Sequence, residues 1–175
     1  KRKVVEVAFK YKKYEESGFK TPSGKIELYS TILEKEGYDP LPFYEEHLQA
    51  YAEKNANKKY PFLLTTGRKL IVYFHSELRR IPWLREMEPE ARADIHPDVA
   101  INLGIKEGDY LRIETPLGSI RIKANITKRI HPKVINVTSQ WEGEANINSI
   151  IDNKECAEGV GTTPLRGLPC MARKA

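Results

Sequence analysis

The stretch YLRIETPLGSIRIKANIT, from Tyr110 to Thr127, constrains the fold of this chain more than any other. Leu111 and Ile113, then Ile120, Ile122 and Ala124, alternate with polar residues on either side of a Pro-Leu-Gly-Ser turn. Period-two alternation across a turn is the pattern of an antiparallel hairpin with one apolar face. Further strands are expected around it. PFLLTT, from Pro61, reads as a first core strand, KLIVYFH as a second extended piece, Val134 to Thr138 as another, and Leu168 to Arg173 as a late one. Spacing and alternation fit a small barrel or a sandwich and do not choose between them.

Short helices are expected between the strands. IPWLREMEPEAR has Pro82 near its first turn, and HPDVAINLGI starts at Pro97, carries Asp98 in its first turn and ends at Gly104. KEGD comes next as a tight turn. Ahead of Tyr60, Val4 to Phe9 reads as a short strand and Lys25 to Tyr29 as a half-buried one. Ser30 suits the cap of a short helix, TILEKEG, ended by Gly37. EEHLQAYAEKNANKK is polar and reads as a connector. The expected organisation is therefore an N-terminal extension and connector over residues 1–59, then a main domain over residues 60–175.

The chain has 175 residues, of which 40% are hydrophobic and 30% charged, a globular and not a disordered composition. The net charge of +5 favours an anionic partner or an ordinary basic surface. Two cysteines, Cys156 and Cys170, are too few for a disulfide scaffold. No apolar run is long enough to span a bilayer, so no direct membrane insertion is expected. The start lacks the apolar core of a signal peptide, and Lys1 in place of Met reads as a fragment of a longer protein.

Several groups bear chemistry. The strand PFLLTT runs straight into Gly67 and Arg68. Hydroxyls of Thr65 and Thr66, a glycine that lets backbone approach closely and a guanidinium fit an anionic ligand, although from these four residues alone a plain β-turn with a surface arginine is the simpler reading. His75-Ser76 come soon after. His47, His75, His96 and His131 lack zinc-ligand spacing, so no metal site is expected. Asn146 and Asn148 flank Ile147 just after Trp141. On a strand their amides would share a face and match the edge of a pterin or purine. No GxSxG, P-loop or GxGxxG occurs, and no catalytic residue is assigned. Gly118-Ser119 sits in an ordinary turn. Basic residues are scattered and not interleaved with aromatics, so no nucleic-acid partner is expected.

In order, FKTPSGKIELYS, GYDPLP, YPFLLTTGR, HSELR, IPWLREMEPEAR, HPDVAINLGIKEGDYLRIETPLGSIRIKA and GVGTTPLRGLPCMARKA resemble the C-terminal part of molybdopterin oxidoreductases of the dimethyl sulfoxide reductase family. The polysulfide and thiosulfate reductase, formate dehydrogenase and acetylene hydratase-like group is the most similar, from about Phe19 onward. The resemblance implies a β-rich α/β domain, a double-psi β-barrel with short peripheral helices. It implies binding of molybdopterin guanine dinucleotide, carrying molybdenum or tungsten, for electron or oxygen-atom transfer. Thr65, Thr66, Gly67 and Arg68 would meet the cofactor, with His75 and Ser76 beside the pterin and pyrophosphate. Trp141, Asn146 and Asn148 would belong to a loop approaching the pterin. Thr21, Ser23, Gly24 and Lys25 would enter the cofactor region, and Arg166 would face it near the chain end. Two departures stand out: Thr138-Ser139-Gln140 where the family often has Pro-His-Gly, and Leu78 where it has Thr before the arginine.

The resemblance further implies that the metal ligand and any iron–sulfur cluster lie in other domains. The expected partners are those domains of the same catalytic subunit, with an iron–sulfur electron-transfer subunit beyond them. The expected location is the cytoplasm, or the outer face of the cell membrane through partner subunits. Two other readings keep the fold: a free-standing small cofactor-binding subunit of the formylmethanofuran dehydrogenase type, and a cofactor-free barrel that binds protein or nucleic acid.

Overall fold

The structure is a computed structural model that describes residues 11–41, 59–67, 72–154, 156, 161–163 and 165–175. The chain divides into two compact units, Lys1–Tyr44 and Glu45–Ala175. The expected strand Val4–Phe9 and nearly all of the connector lie outside the described residues.

The first unit holds two short helices, α1 (Tyr14–Ser17) and α2 (Thr31–Lys35). As expected, Ser30 caps α2: its side chain accepts from the Leu33 amide at 3.3 Å, satisfying one of the free N–H groups at a helix start. The expected strand Lys25–Tyr29 does not form. Local side-chain bonds to backbone take its place, and these compete with ladder pairing. The Thr21 hydroxyl donates to the Lys25 carbonyl at 2.6 Å, and the Lys25 amide donates to Ser23 Oγ at 3.3 Å. Gly24, at φ 68°, completes the turn, and Leu28 is left 84% exposed.

The second unit contains a closed barrel. Its strands are β1 (Phe62–Gly67), β2 (Arg92–Ile95), β3 (Tyr110–Thr115), β4 (Gly118–Ile126), β5 (Val134–Thr138) and β6 (Arg166–Lys174). Around the barrel they run β1-β5-β2-β4-β3-β6. Helix α3 (Pro82–Met87) precedes β2, and α4 (Pro97–Asn102) comes after it, each with proline in its first turn. The hairpin expected from Tyr110 to Thr127 is β3–β4, with Ile113 opposite Ile120 and Leu111 opposite Ile122.

The pairing has an internal symmetry. β1 is parallel to β5, and β2 is parallel to β4; β1–β6, β3–β4, β2–β5 and β3–β6 are antiparallel. Replacing β1, β2, β3 by β4, β5, β6, and the reverse, reproduces every neighbour and every direction. Two interlocked three-strand halves, joined by two parallel pairs that each take one strand from either half, make a double-psi β-barrel with short helices at its periphery.

Two strand expectations need correction. KLIVYFH contributes no strand among its described residues; Phe74 only bridges Glu77 within a turn. β2 was not expected, because four residues are too few to display alternation and the helical pattern of IPWLREMEPEAR extends to its edge. Pro89 ends that helix early, and Ala93 and Ile95 point into the core.

Alternation builds the interior. Leu64, Leu111, Ile113, Ile120, Ile122 and Ile135 are each no more than 2% exposed. Burying one such side chain is worth roughly 1.5–3 kcal/mol. Ile113→Ala should therefore cost about 2–5 kcal/mol, cavity included, measured by urea unfolding. Cys170 is also fully buried, and that burial pushes its thiol up to about 12. Cys156 is exposed. An alkylating reagent at neutral pH should modify Cys156 in the folded chain and Cys170 only after unfolding. Equal rates in the folded chain would contradict a closed barrel.

Candidate functional site

Parallel strands end at the same side of a sheet, and here that places the site. Gly67 at the end of β1 lies opposite Thr138 at the end of β5. β6 runs antiparallel to β1, so it begins where β1 stops. The register slips between Leu64 and Thr65, where Thr65 pairs with Arg166 and Gly167 (φ 75°) is skipped. Such a bulge turns a side chain out of the regular alternation. At this end a cleft of about 190 Å³ opens, lined by Thr66, Gly67, Tyr73, His75, Glu88, Thr138, Ser139, Gln140, Trp141 and Arg166.

The walls are fixed from behind. The Tyr73 hydroxyl donates toward the carbonyl oxygens of Glu88 (2.7 Å) and Leu84 (3.1 Å), serving carbonyls left open at the end of α3. Tyr73 and Trp141 meet edge to face at 6.4 Å. The guanidiniums of Arg79 and Arg85 lie 4.7 and 4.8 Å from the Trp141 ring. Desolvation, with Arg85 nearby, pulls Arg79 below its usual pKa, yet an arginine remains charged at neutral pH. The indole face thus carries positive charge beside the cleft. The Thr138 hydroxyl donates to the Arg92 carbonyl at 2.7 Å and is committed to joining β5 to β2. His75 and Gln140 meet across the cleft, with His75 Nδ1 2.6 Å from Gln140 Nε2.

The expected site residues separate into groups. Thr66, Gly67, His75, Trp141 and Arg166 come together on the cleft. Thr65 does not: it faces the other side of the barrel wall, on a second cavity with Asp94, Thr127, Arg129 and Asn136. Successive residues of a strand point to opposite faces, so Thr65 and Thr66 cannot serve one ligand from one side. Ser76 is exposed and off the cleft. Asn146 and Asn148 are not on a strand. Asn146 lies between two short 3-10 turns, Gly143–Ala145 and Ile147–Ile150, and Asn148 lies in the second, where Asn146 Oδ1 accepts from the Asn148 amide at 3.1 Å. Asparagine competes for nearby backbone in this way, and neither amide lines the cleft. Arg68 lies outside the described residues. Ser23, Gly24 and Lys25 form the turn of the first unit described above.

Tyr73, Glu88, Thr138, Ser139 and Gln140 line the cleft and were not expected there. The signal for Thr138 to Gln140 was available only through topology: they close a strand parallel to β1 and lead out of it.

Gly67 has a different reason from the one expected. Its φ is not positive. A Cβ added there would fall 2.7 Å from Asn136 Oδ1 on the outward face. Asn136 cannot easily yield, since its Nδ2 donates to Asp94 Oδ2 at 2.9 Å. Gly67→Ala should cost about 1–3 kcal/mol by overpacking. The double variant Gly67→Ala/Asn136→Ala should be less destabilised than the sum of the singles, by about 0.5–3 kcal/mol in denaturation. Strict additivity would show that the two do not touch.

Imidazole, guanidinium and hydroxyl groups beside two aromatic walls, at one end of a double-psi barrel, define a ligand-binding domain suited to an anionic heteroaromatic group. The model of the molydopterin (molybdopterin) dinucleotide binding domain matches residues 62–169, and the chain belongs to that family. Dopamine dehydroxylase of Eggerthella lenta is 35% identical over 173 residues, covering 90% of this chain and 17% of that protein. Acetylene hydratase of Syntrophotalea acetylenica is 41% identical over 106 residues, covering 60% of this chain and 14% of that protein. The solved acetylene hydratase from Pelobacter acetylenicus superposes with a TM-score of 0.78 at 29% identity, covering 94% of this chain and 25% of that one. The chain thus spans about a sixth of the length of the curated relatives it matches.

The donor set fits a molybdopterin dinucleotide in kind. In size, 190 Å³ falls below the roughly 300–1,000 Å³ of a complete small-molecule pocket, so the cleft has room for only a part of such a ligand.

Proposed function

We propose that this molybdopterin dinucleotide-binding domain grips the guanine dinucleotide form of the cofactor as the C-terminal part of a molybdenum or tungsten oxidoreductase catalytic subunit. The observation that carries this is the convergence of His75, Arg166 and the Ser139-Gln140 turn on one end of the barrel, beside Tyr73 and Trp141. Arg166 supplies a guanidinium to a pyrophosphate oxygen. His75 and Ser139 supply hydrogen bonds to phosphate or to the pterin edge. Trp141, backed by two guanidiniums, walls off water. The net charge of +5 draws a polyanion toward the domain.

When bound, the cofactor supplies the redox chemistry at its metal, for electron or oxygen-atom transfer. This chain's residues hold and orient it. Among the described residues no group of His, Cys, Asp and Glu is placed to hold a metal ion. In this reading the metal's protein ligand, any iron–sulfur cluster and the substrate pocket belong to the remaining domains of the subunit. Residues 1–59 then connect from the preceding domain. The relatives named above differ in what their names say they act on, dopamine in one case and acetylene in the other. A shared cofactor grip with substrate choice built elsewhere accounts for that difference.

An NMR titration of the chain with molybdopterin guanine dinucleotide tests this. Amide shifts should cluster at Thr66-Gly67, Tyr73 to His75, Thr138 to Trp141 and Arg166. Arg166→Ala should weaken binding about 10-fold or more, the loss of one charged hydrogen bond. Its fold should persist, since Arg166 is exposed. Shifts confined to the outward face around Thr65 and Asn136 would refute the assignment.

A further inference from the structure

His75 and Gln140 both occupy backbone conformations that L residues rarely adopt, at φ 55° and 68°. Contact of Cβ with the backbone disfavours this region for every residue but glycine, and residues held there concentrate at functional sites. A glycine at position 140 would suit the turn without strain. What glutamine adds is its side chain, and that side chain ends 2.6 Å from the ring of His75.

We propose that Gln140 is a positioning residue that sets the tautomer of His75, and through it the kind of ligand atom the cleft accepts. A neutral imidazole has one N–H and one lone pair, on different nitrogens. The amide nitrogen of Gln140 offers only protons, so the Nδ1 that faces it carries the lone pair. The ring proton is then on Nε2. Nδ1 is occupied by Gln140, which leaves Nε2 for a ligand, and there it donates. The cleft therefore takes an acceptor at this point: a phosphate oxygen, or a carbonyl oxygen or bare ring nitrogen of a heterocycle. A ligand N–H at the same place would meet another donor and be rejected. The link to a dinucleotide rests on the binding role proposed above; the tautomer does not.

Long-range ¹H–¹⁵N spectra of the full chain, labelled at histidine and recorded above the pH at which the ring titrates, read which nitrogen holds the proton. His96 and His131 also accept at Nδ1, from the amides of Asp98 and Lys133. The His75 signals are therefore identified by their loss in His75→Gln. The expected result is a bare Nδ1 and a protonated Nε2. In Gln140→Glu the facing carboxylate accepts instead, and the ring proton should move to Nδ1. Gln140→Gly keeps the turn, since glycine adopts φ 68° freely, and should relax His75 toward a mixture of tautomers with the other amides unshifted. Protonated Nδ1 in the parent chain, or one tautomer in the parent and Gln140→Glu alike, would overturn the proposal. Sodium pyrophosphate, added to the same samples, reads the binding role separately. Its failure to shift any cleft amide would count against the dinucleotide reading and leave the tautomer result standing.

Discussion

The parallel pairing of β1 with β5 is the constraint on which the rest depends. Five consecutive register pairs, from Leu63–Val134 to Gly67–Thr138, force both strands to finish side by side. The segments that leave the two strands must then emerge at the same end of the barrel. The loop after β1 carries Tyr73 and His75; the turn after β5 carries Ser139, Gln140 and Trp141. An antiparallel neighbour, β6, begins at this end and brings Arg166. A sheet of antiparallel hairpins alone would send these segments to opposite ends.

The pseudo-twofold symmetry adds a second consequence. Thr65 on β1, Asn136 on β5, Asp94 on β2 and Asn125 on β4 are successive register partners. Asp94 accepts from both Asn136 and Asn125, so a polar row crosses four strands on the outer face. That row explains Gly67. The residue before the cleft must lack a side chain because the wall behind it is occupied by Asn136. Barrel architecture and site geometry are coupled at this glycine.

How much of this the sequence disclosed depends on whether the information was local. The β3–β4 hairpin was legible because both strands alternate over a recognisable turn. The cap of α2 and the start of α4 were legible because Ser30, Pro97 and Asp98 act on their own neighbours, whereas His96, which caps α4, was not expected to do so. β2 was hidden by its length. The closed barrel, and the parallel pairs that make it double-psi, came from resemblance and not from periodicity, since pairing partners such as Phe62 and Cys170 are far apart in the chain. At the site, the resemblance pointed to His75, Trp141 and Arg166, and these three line one cleft. Thr65 and Thr66 read as one surface in the sequence, but adjacent strand residues face opposite ways and line different cavities. Asn146 and Asn148 serve turns and not a strand, and in a sequence such asparagines look like asparagines on a strand. Gln140 was marked only as a departure from the family pattern, and its side chain turned out to meet His75.

The most direct measurement is a crystal structure of the full-length protein loaded with its cofactor. Pterin or pyrophosphate atoms should lie within hydrogen-bond distance of His75 Nε2 and the Arg166 guanidinium, with Trp141 forming the wall behind them. A cofactor held entirely by other domains, with the cleft between β1 and β5 filled only by water, would contradict the central claim that this end of the barrel is where the chain meets its ligand.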